Sequence, residues 1–219
     1  MKKGHNMPEE RVDYFDENYQ KLGITTKPEA RANGYWVHSF HCWILQTGEE
    51  PSLYFQKRST TKALFPNFLD ISAAGHLRTG EQVADGVREI SEEVGLKVTV
   101  EELISLGVKF DVAKLPGIIN RQFCHVFLYP TSVPISDLDL DNSELDGMVS
   151  IALRDGLSLF SGAANSVEVT GVEKDLDGKW RQITKVIGKA DFIPRIDPYY
   201  YKMFINADLF TKGYKYLSI

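Results

Sequence analysis

Residues 75–96, GHLRTGEQVADGVREISEEVGL, limit what this chain can fold into more than any other segment. Val83, Val87, Ile90 and Val94 follow one another at spacings of four, three and four, which predicts a helix over residues 82–94 with one apolar stripe. Gly95 stands where a helix C-terminal glycine belongs, and Thr79 or Glu81 is placed to assist the N-terminus. Gly86 inside the helix costs about 1 kcal/mol against alanine, a sacrifice consistent with close packing of the backbone on a sheet. Glu89 precedes Glu92 by three residues and Glu93 by four, so the three carboxylates are neighbours on one surface. Like charges so spaced repel by a few tenths of a kcal/mol per pair. Hard cations such as Mg²⁺ take oxygen ligands of this kind together with phosphate and water. Arg88, four residues before Glu92, is placed to pair with it. An acidic run on its own is an ordinary solvated helix face. What lifts this one above that reading is the order Gly75, Glu81, Arg88-Glu89-Ile90, Glu92-Glu93, Gly95-Leu96.

The rest of the chain supports one α+β domain of 219 residues with 43% apolar residues, long enough for a sizeable core. The formal net charge of −5 gives no sign of a nucleic-acid-binding surface. Cys42 and Cys124 lie in apolar, strand-like runs and read as buried free thiols. The N-terminus is too polar and acidic for a signal peptide, and no run approaches the roughly 20 apolar residues of a membrane span. The expectation is a soluble cytoplasmic protein with no nucleic-acid or membrane partner.

Residues 1–34 read as an N-terminal extension packed on the main domain, with Val12–Phe15 and Leu22–Thr25 as a small hairpin laid on it. Residues 35–219 form the main domain, with a C-terminal hairpin and helix. SFHCWILQ, SLYFQKR, LISLGVKF, RQFCHVFLYP and MVSIAL are β-rich runs, and LRDGLSLF suits a short helix. SVEVTGV and KWRQITKVIG flank Asp177-Gly178, a strong hairpin signal. A last helix opens after Pro198; its Tyr199, Tyr200, Tyr201 and Phe204 suit the core or a homodimer contact better than a base-stacking pocket.

The order of residues in the 75–96 segment resembles the Nudix box, with every fixed residue type present. One departure is that six residues, rather than the family's seven, separate Glu81 from Arg88, which puts the placement of Glu81 in question. The resemblance implies an α/β/α sandwich around a mixed central β-sheet, with the box as a loop–helix–loop. It implies Glu89, Glu92 and Glu93 as metal ligands for Mg²⁺ or Mn²⁺, Arg88 as the residue that orients them, and attack of water on a diphosphate linkage.

The flanks FPNFLDISAAGHLRTGE, SFHCWIL and INRQFCHVF, within roughly residues 35–160, resemble the Nudix branch nearest type 1 isopentenyl diphosphate isomerase. Those isomerases carry a cysteine just before the Gly-His and two glutamates one residue apart on the strand after the box. Ala74, Asn120 and Gln122 stand at those positions here, and none of them moves a proton as a thiol or carboxylic acid does. A hydrolase acting on a nucleoside diphosphate derivative or related organic pyrophosphate is therefore the leading reading. An isomerase and a non-catalytic Nudix binding module are the alternatives.

Glu92 and Glu144 are the candidates for general base; Glu144 has an even alternative as an exposed loop acid, and Asp139, Asp141 and Asp146 read as solvated acids. Arg58 and His76 are candidate substrate-binding residues, with Lys57 beside Arg58 at a strand end. Alternation puts His38 and Phe40 on one face of their strand and Ser39 and His41 on the other; His125 reads as structural.

Overall fold

The computed structural model describes residues 10–141 and 143–219. Residues 1–9 of the expected N-terminal extension, and Asn142, lie outside the described residues. The strands are β1 (Arg11–Phe15), β2 (Lys21–Thr26), β3 (Trp36–Gln46), β4 (Ser52–Arg58), β5 (Leu69–Asp70), β6 (Ala73–His76), β7 (Ile104–Leu115) and β8 (Ile118–Thr131). They are followed by β9 (Leu145–Ala152), β10 (Ser166–Lys174) and β11 (Trp180–Gly188). The helices are α1 (Lys27–Asn33), α2 (Arg88–Val94), α3 (Leu153–Ser161) and α4 (Tyr199–Thr211).

The alternation of β3 explains the layers. Trp43 and Leu45 point into a core shared with α3 and α4, where Leu159, Tyr199, Tyr200, Met203 and Phe204 meet them. Phe40, Cys42 and Ile44 point the other way, onto Ile90 and Val94 of α2. A strand buried on both faces reads as a continuous apolar run. The result is a helix–sheet–helix sandwich. Its sheet runs β11-β10-β9-β4-β3-β1-β2, with β5 on β4, β6 on β3, and β8 joining β3 to β7. β3 and β8 are parallel and the other pairs antiparallel, so the sheet is mixed. Both cysteines are buried and free. Among the described residues no helix is long and apolar enough to cross a membrane.

Two local expectations are corrected. The helix expected over residues 82–94 is divided into a 3₁₀ segment, Val83–Val87, and α2. Gly86 lies so close to the Phe40 ring that a Cβ there would stand 2.5 Å from Cδ2, so the first turn is packed tightly on the sheet. The N-terminal cap is Gln82, whose N–H donates to the Asp85 carboxylate at 2.7 Å, rather than Thr79 or Glu81. The hairpin of β1 and β2 forms, and it joins the main domain at the sheet edge. Tyr14 and Phe15 pair with Val37 and Trp36, so it extends the sheet beside β3.

Helix α1 follows that hairpin without a break. Thr26 caps it by accepting from the Glu29 N–H, Pro28 occupies its first turn, and Gly34 ends it in the left-handed region at φ 67°. Ala30 anchors the helix against Val12 and Val37. This packing brings the outer face of α1 to the rim of the cleft described next.

Candidate active site

The box is assembled around Arg88. Its Nε donates to Glu81 Oε1 at 2.8 Å and its Nη2 to Glu81 Oε2 at 3.1 Å. Nη2 also donates to the His76 carbonyl at 3.0 Å, and Nη1 reaches Glu92 at 3.0 Å and Glu89 at 2.7 Å. Glu81, whose spacing was in question, thus reaches the guanidinium and also accepts from the Arg78 N–H at 2.7 Å. Burial pulls the Glu81 carboxyl upward, but the bonds from Arg88 and Arg78 outweigh it and hold it below the usual range.

The three box glutamates do not share one environment. On a helix with about 100° per residue, positions 89 and 93 lie some 40° apart, while 92 is turned about 60° to the other side of 89. Glu89 and Glu93 are accordingly buried, whereas the Glu92 side chain is 48% exposed at the rim, held by Arg88 and Arg78. Glu89 lies under Gly75, where a Cβ would stand 2.0 Å from its Oε1. Glu93 accepts from the Ala74 N–H at 3.0 Å and from Gln56 Nε2 at 3.3 Å. Burial, and then the charge of Glu89, raise the Glu93 carboxyl well above its ordinary value; burial likewise raises Glu89.

Two buried carboxylates that resist ionising beside each other are a donor set short of positive charge. Among the described residues no three His, Cys, Asp or Glu side chains stand together as a closed metal cage. Mg²⁺ does not need one, since it binds through one or two carboxylates plus phosphate oxygens and water. Glu89 and Glu93 fit that requirement.

They open onto a cleft of about 640 Å³. The same cleft is lined by cations: Lys27 and Arg31 come from α1, Arg58 from the end of β4, and Lys62 from the following loop. Lys27 is ion-paired to Glu10 and Lys62 to Glu144. Arg58 donates to the carbonyls of Leu64 and Phe65 and lies 3.8 Å from Asp70. Arg31 has no acidic partner among the described residues, and its Nε is buried without an acceptor. Burial, and then the charge of Arg58, lower the Arg31 guanidinium from its usual value. Lys27 and Arg31 were not singled out in the sequence, where nothing local marks them; only the packing of α1 brings them here.

His76 also lines the cleft. Burial, followed by the fields of Lys27 and Arg31, drives the ring well below its ordinary pKa and keeps it neutral. Its Nε2 stands 3.1 Å from Gln122 Nε2, and the Gln122 amide also reaches Asn120 Oδ1 at 3.4 Å. Ala74, Asn120 and Gln122 therefore border the same cleft as the box glutamates.

Ser39, His41, Asp111 and Arg195 also line the cleft. Arg195 is braced by Asp111 at 2.7 Å and Asp70 at 2.6 Å. Trp43 Nε1 donates to Tyr199 Oη at 2.9 Å, so the Tyr199 O–H is directed to His41 Nδ1, 3.1 Å away. Burial, then Arg195, push the His41 ring down to about 3.

Other residues weighed in the sequence fall elsewhere. His38 and His125 meet on the opposite sheet face at 3.3 Å, with Tyr19 Oη 2.8 Å from His125. Lys57 pairs with Glu173, and Asp146 pairs with Lys174 and accepts from the Thr60 N–H. Asp139 packs against Gly95, while Asp141 borders the cleft. Tyr199, Tyr200 and Phe204 are in the core.

No protein-family model matches the chain. Among curated proteins it is similar to an uncharacterized Nudix hydrolase of Clostridium acetobutylicum, 34% identical over 195 residues, which span 89% of this chain and 95% of the relative. It is also similar to isopentenyl-diphosphate Delta-isomerase 1 of Photorhabdus laumondii, 29% identical over 127 residues, 57% of this chain and 71% of that one. Among solved structures, a protein of Deinococcus radiodurans aligns with a TM-score of 0.53 at 21% identity, over 70% of this chain and 90% of its own. That last likeness concerns the fold alone.

Proposed function

The chain belongs to the Nudix hydrolase family, and from that premise we propose that it hydrolyses a diphosphate linkage in a nucleoside diphosphate derivative or related organic pyrophosphate, with Mg²⁺ as cofactor. The observation that carries this reading is the polarity of the cleft. Buried Glu89 and Glu93 line one cavity together with Lys27, Arg31, Arg58 and Lys62. A cation on the carboxylates and a polyphosphate against the basic side chains satisfy both sets of charges together.

When bound, Mg²⁺ neutralises charge on the diphosphate and makes water a better nucleophile. Glu89 and Glu93 would hold it, with Glu92 as the third carboxylate of the box at the rim. Arg88 keeps Glu89 and Glu92 in position through its bonds to Glu81 and the His76 carbonyl. Arg58, Arg31 and neutral His76 bind and orient the phosphates. Water is deprotonated by Glu92 or by Glu144, each partly exposed and each ion-paired at the cleft. The isomerase alternative lacks support, because Ala74, Asn120 and Gln122 offer no acid or base at the positions where that chemistry needs them.

The test is a Mg²⁺-dependent screen of nucleoside diphosphate sugars, dinucleoside polyphosphates, nucleoside di- and triphosphates, coenzyme pyrophosphates and simpler organic diphosphates, read as released phosphate. Turnover that collapses in Glu93→Gln and on chelation supports the reading. Full activity in that variant refutes the assignment of the site.

A further inference from the structure

The same cleft is lined by a stretch of the central sheet whose Ser39, His41 and Asp111 are buried, an inner chamber with its own chemistry. Its floor is the sheet face that carries Ser39 and His41 on β3, Asn120 and Gln122 on β8, and Asp111 on β7. Parallel register sets Ser39 beside Cys124, and antiparallel register sets Asp111 opposite Gln122, so these side chains share one face. Further along the same face the residues become Trp43, Leu45, Val126 and Leu128, which lie beneath α3 and α4. The change from apolar to polar marks where the helices stop covering the sheet and the chamber begins.

Two partly exposed amides there keep hydrogen-bonding capacity toward the cleft. Gln122 Nε2 is shared between His76 and Asn120 Oδ1, while the Asn120 amide nitrogen has no protein acceptor among the described residues. A primary amide offers two donors and a two-fold acceptor. Amides held half-buried with spare capacity suit a ligand that also donates and accepts, and a hydroxyl does both. An alkenyl chain would leave them unsatisfied.

A nucleobase finds little to stack on. Among the described residues that line the cleft, the only phenyl, phenol or indole ring is Phe65. It sits on the loop whose carbonyls Arg58 grips, and its ring already meets Phe68 edge-on at 5.9 Å.

We infer that the inner chamber takes the non-phosphate part of the substrate, and that this part is hydroxylated and non-aromatic: the substrate is a sugar-like or polyol diphosphate, read by Asn120 and Gln122. This rests on the hydrolase reading above. The experiment compares kcat/KM of the Mg²⁺-supplemented full chain on three sets of compounds: sugar or polyol diphosphates, nucleoside diphosphates, and alkenyl diphosphates. The hydroxylated set is expected to be preferred by about tenfold or more, the discrimination typical of sites built to hydrogen-bond a hydroxyl being at least that large. Asn120→Leu and the volume-matched Gln122→Met are each expected to raise KM for that set about tenfold with a much smaller effect on kcat. Thermal melting establishes that each variant is folded, and either one suffices for the comparison. Preference for nucleoside or alkenyl diphosphates, or an unaltered KM in a folded variant, overturns this inference while leaving the hydrolase reading intact. Absence of turnover on all three sets and on the wider screen overturns both.

Discussion

Arg88 carries more of the box geometry than any other single residue, because one planar guanidinium reaches three carboxylates and a backbone carbonyl. A lysine retains the charge but presents three donors from one point, so it cannot hold both Glu81 oxygens and the His76 carbonyl together. Arg88→Lys is therefore expected to lower kcat on the order of 100-fold, as small displacements of catalytic groups do, while the protein stays folded. Steady-state kinetics beside a melting curve checks this; near-normal kcat would show that the hub is dispensable. Gly75→Ala works through Glu89, whose carboxylate would have to leave the space the new methyl enters. Its expected outcome is Mg²⁺ affinity weakened by roughly tenfold or more, the scale set by losing a ligand's orientation, with little loss of stability because the group that must move is the end of a flexible side chain. Titration with Mg²⁺ followed by activity is the measurement. At this scale the residue types in the box were readable from order and spacing. The outward turn of Glu92 was not, because three charged neighbours on a wheel look alike until the side that meets Gly75 and Ala74 is known. Arg31 was illegible for a different reason: its approach to the cleft depends on where α1 docks, and no local pattern encodes that.

Among the elements, the strands were legible because burial on two faces leaves long apolar runs and burial on one leaves alternation. The β7–β8 pair runs further than its apolar segments suggest. Pro116-Gly117, with Gly117 at φ 72°, closes a tight turn that lets Leu115 and Ile118 pair directly. The box helix is where pattern reading fell short. A stripe of valines and isoleucine reports which side is buried, but the 3₁₀ segment arises from how near the sheet lies. Gly86→Ala separates the two influences. Helix propensity alone favours alanine by about 1 kcal/mol. A Cβ 2.5 Å from the Phe40 ring opposes it, and forcing an extra methyl into a packed core costs about 1–3 kcal/mol. Steric conflict is expected to win, so Gly86→Ala should destabilise the protein in urea denaturation; a gain in stability would mean that the ring yields freely.

For the whole molecule, the cleft depends on both ends of the described chain. The N-terminal hairpin and α1 bring Lys27 and Arg31 to its lining, and the segment before α4 brings Arg195. Arg195 is tied to Asp111 of β7 and Asp70 of β5, so a buried ion network fastens the C-terminal segment to the sheet. Removing one partner of such a network costs about 3–5 kcal/mol, because the remaining charges stay buried. Arg195→Met is expected to lower stability by that order. The same network has a pH signature. Burial pulls the Asp111 carboxyl upward, but Arg195 and Lys109 outweigh it and leave the carboxyl below the ordinary aspartate value. A folded-state pKa lower than the unfolded one means that the unfolded chain takes up the proton first as acid is added. The stabilisation is thus complete above the unfolded value of about 3.9, and it fades as pH falls from there through the lower folded value. Wild-type stability should decline across that acid window, and Asp111→Asn should decline less steeply there after starting lower at neutral pH. Urea midpoints measured from pH 7 down to the acid limit decide it: parallel curves for the two proteins would show that the carboxylate of Asp111 contributes nothing to the acid sensitivity of the fold.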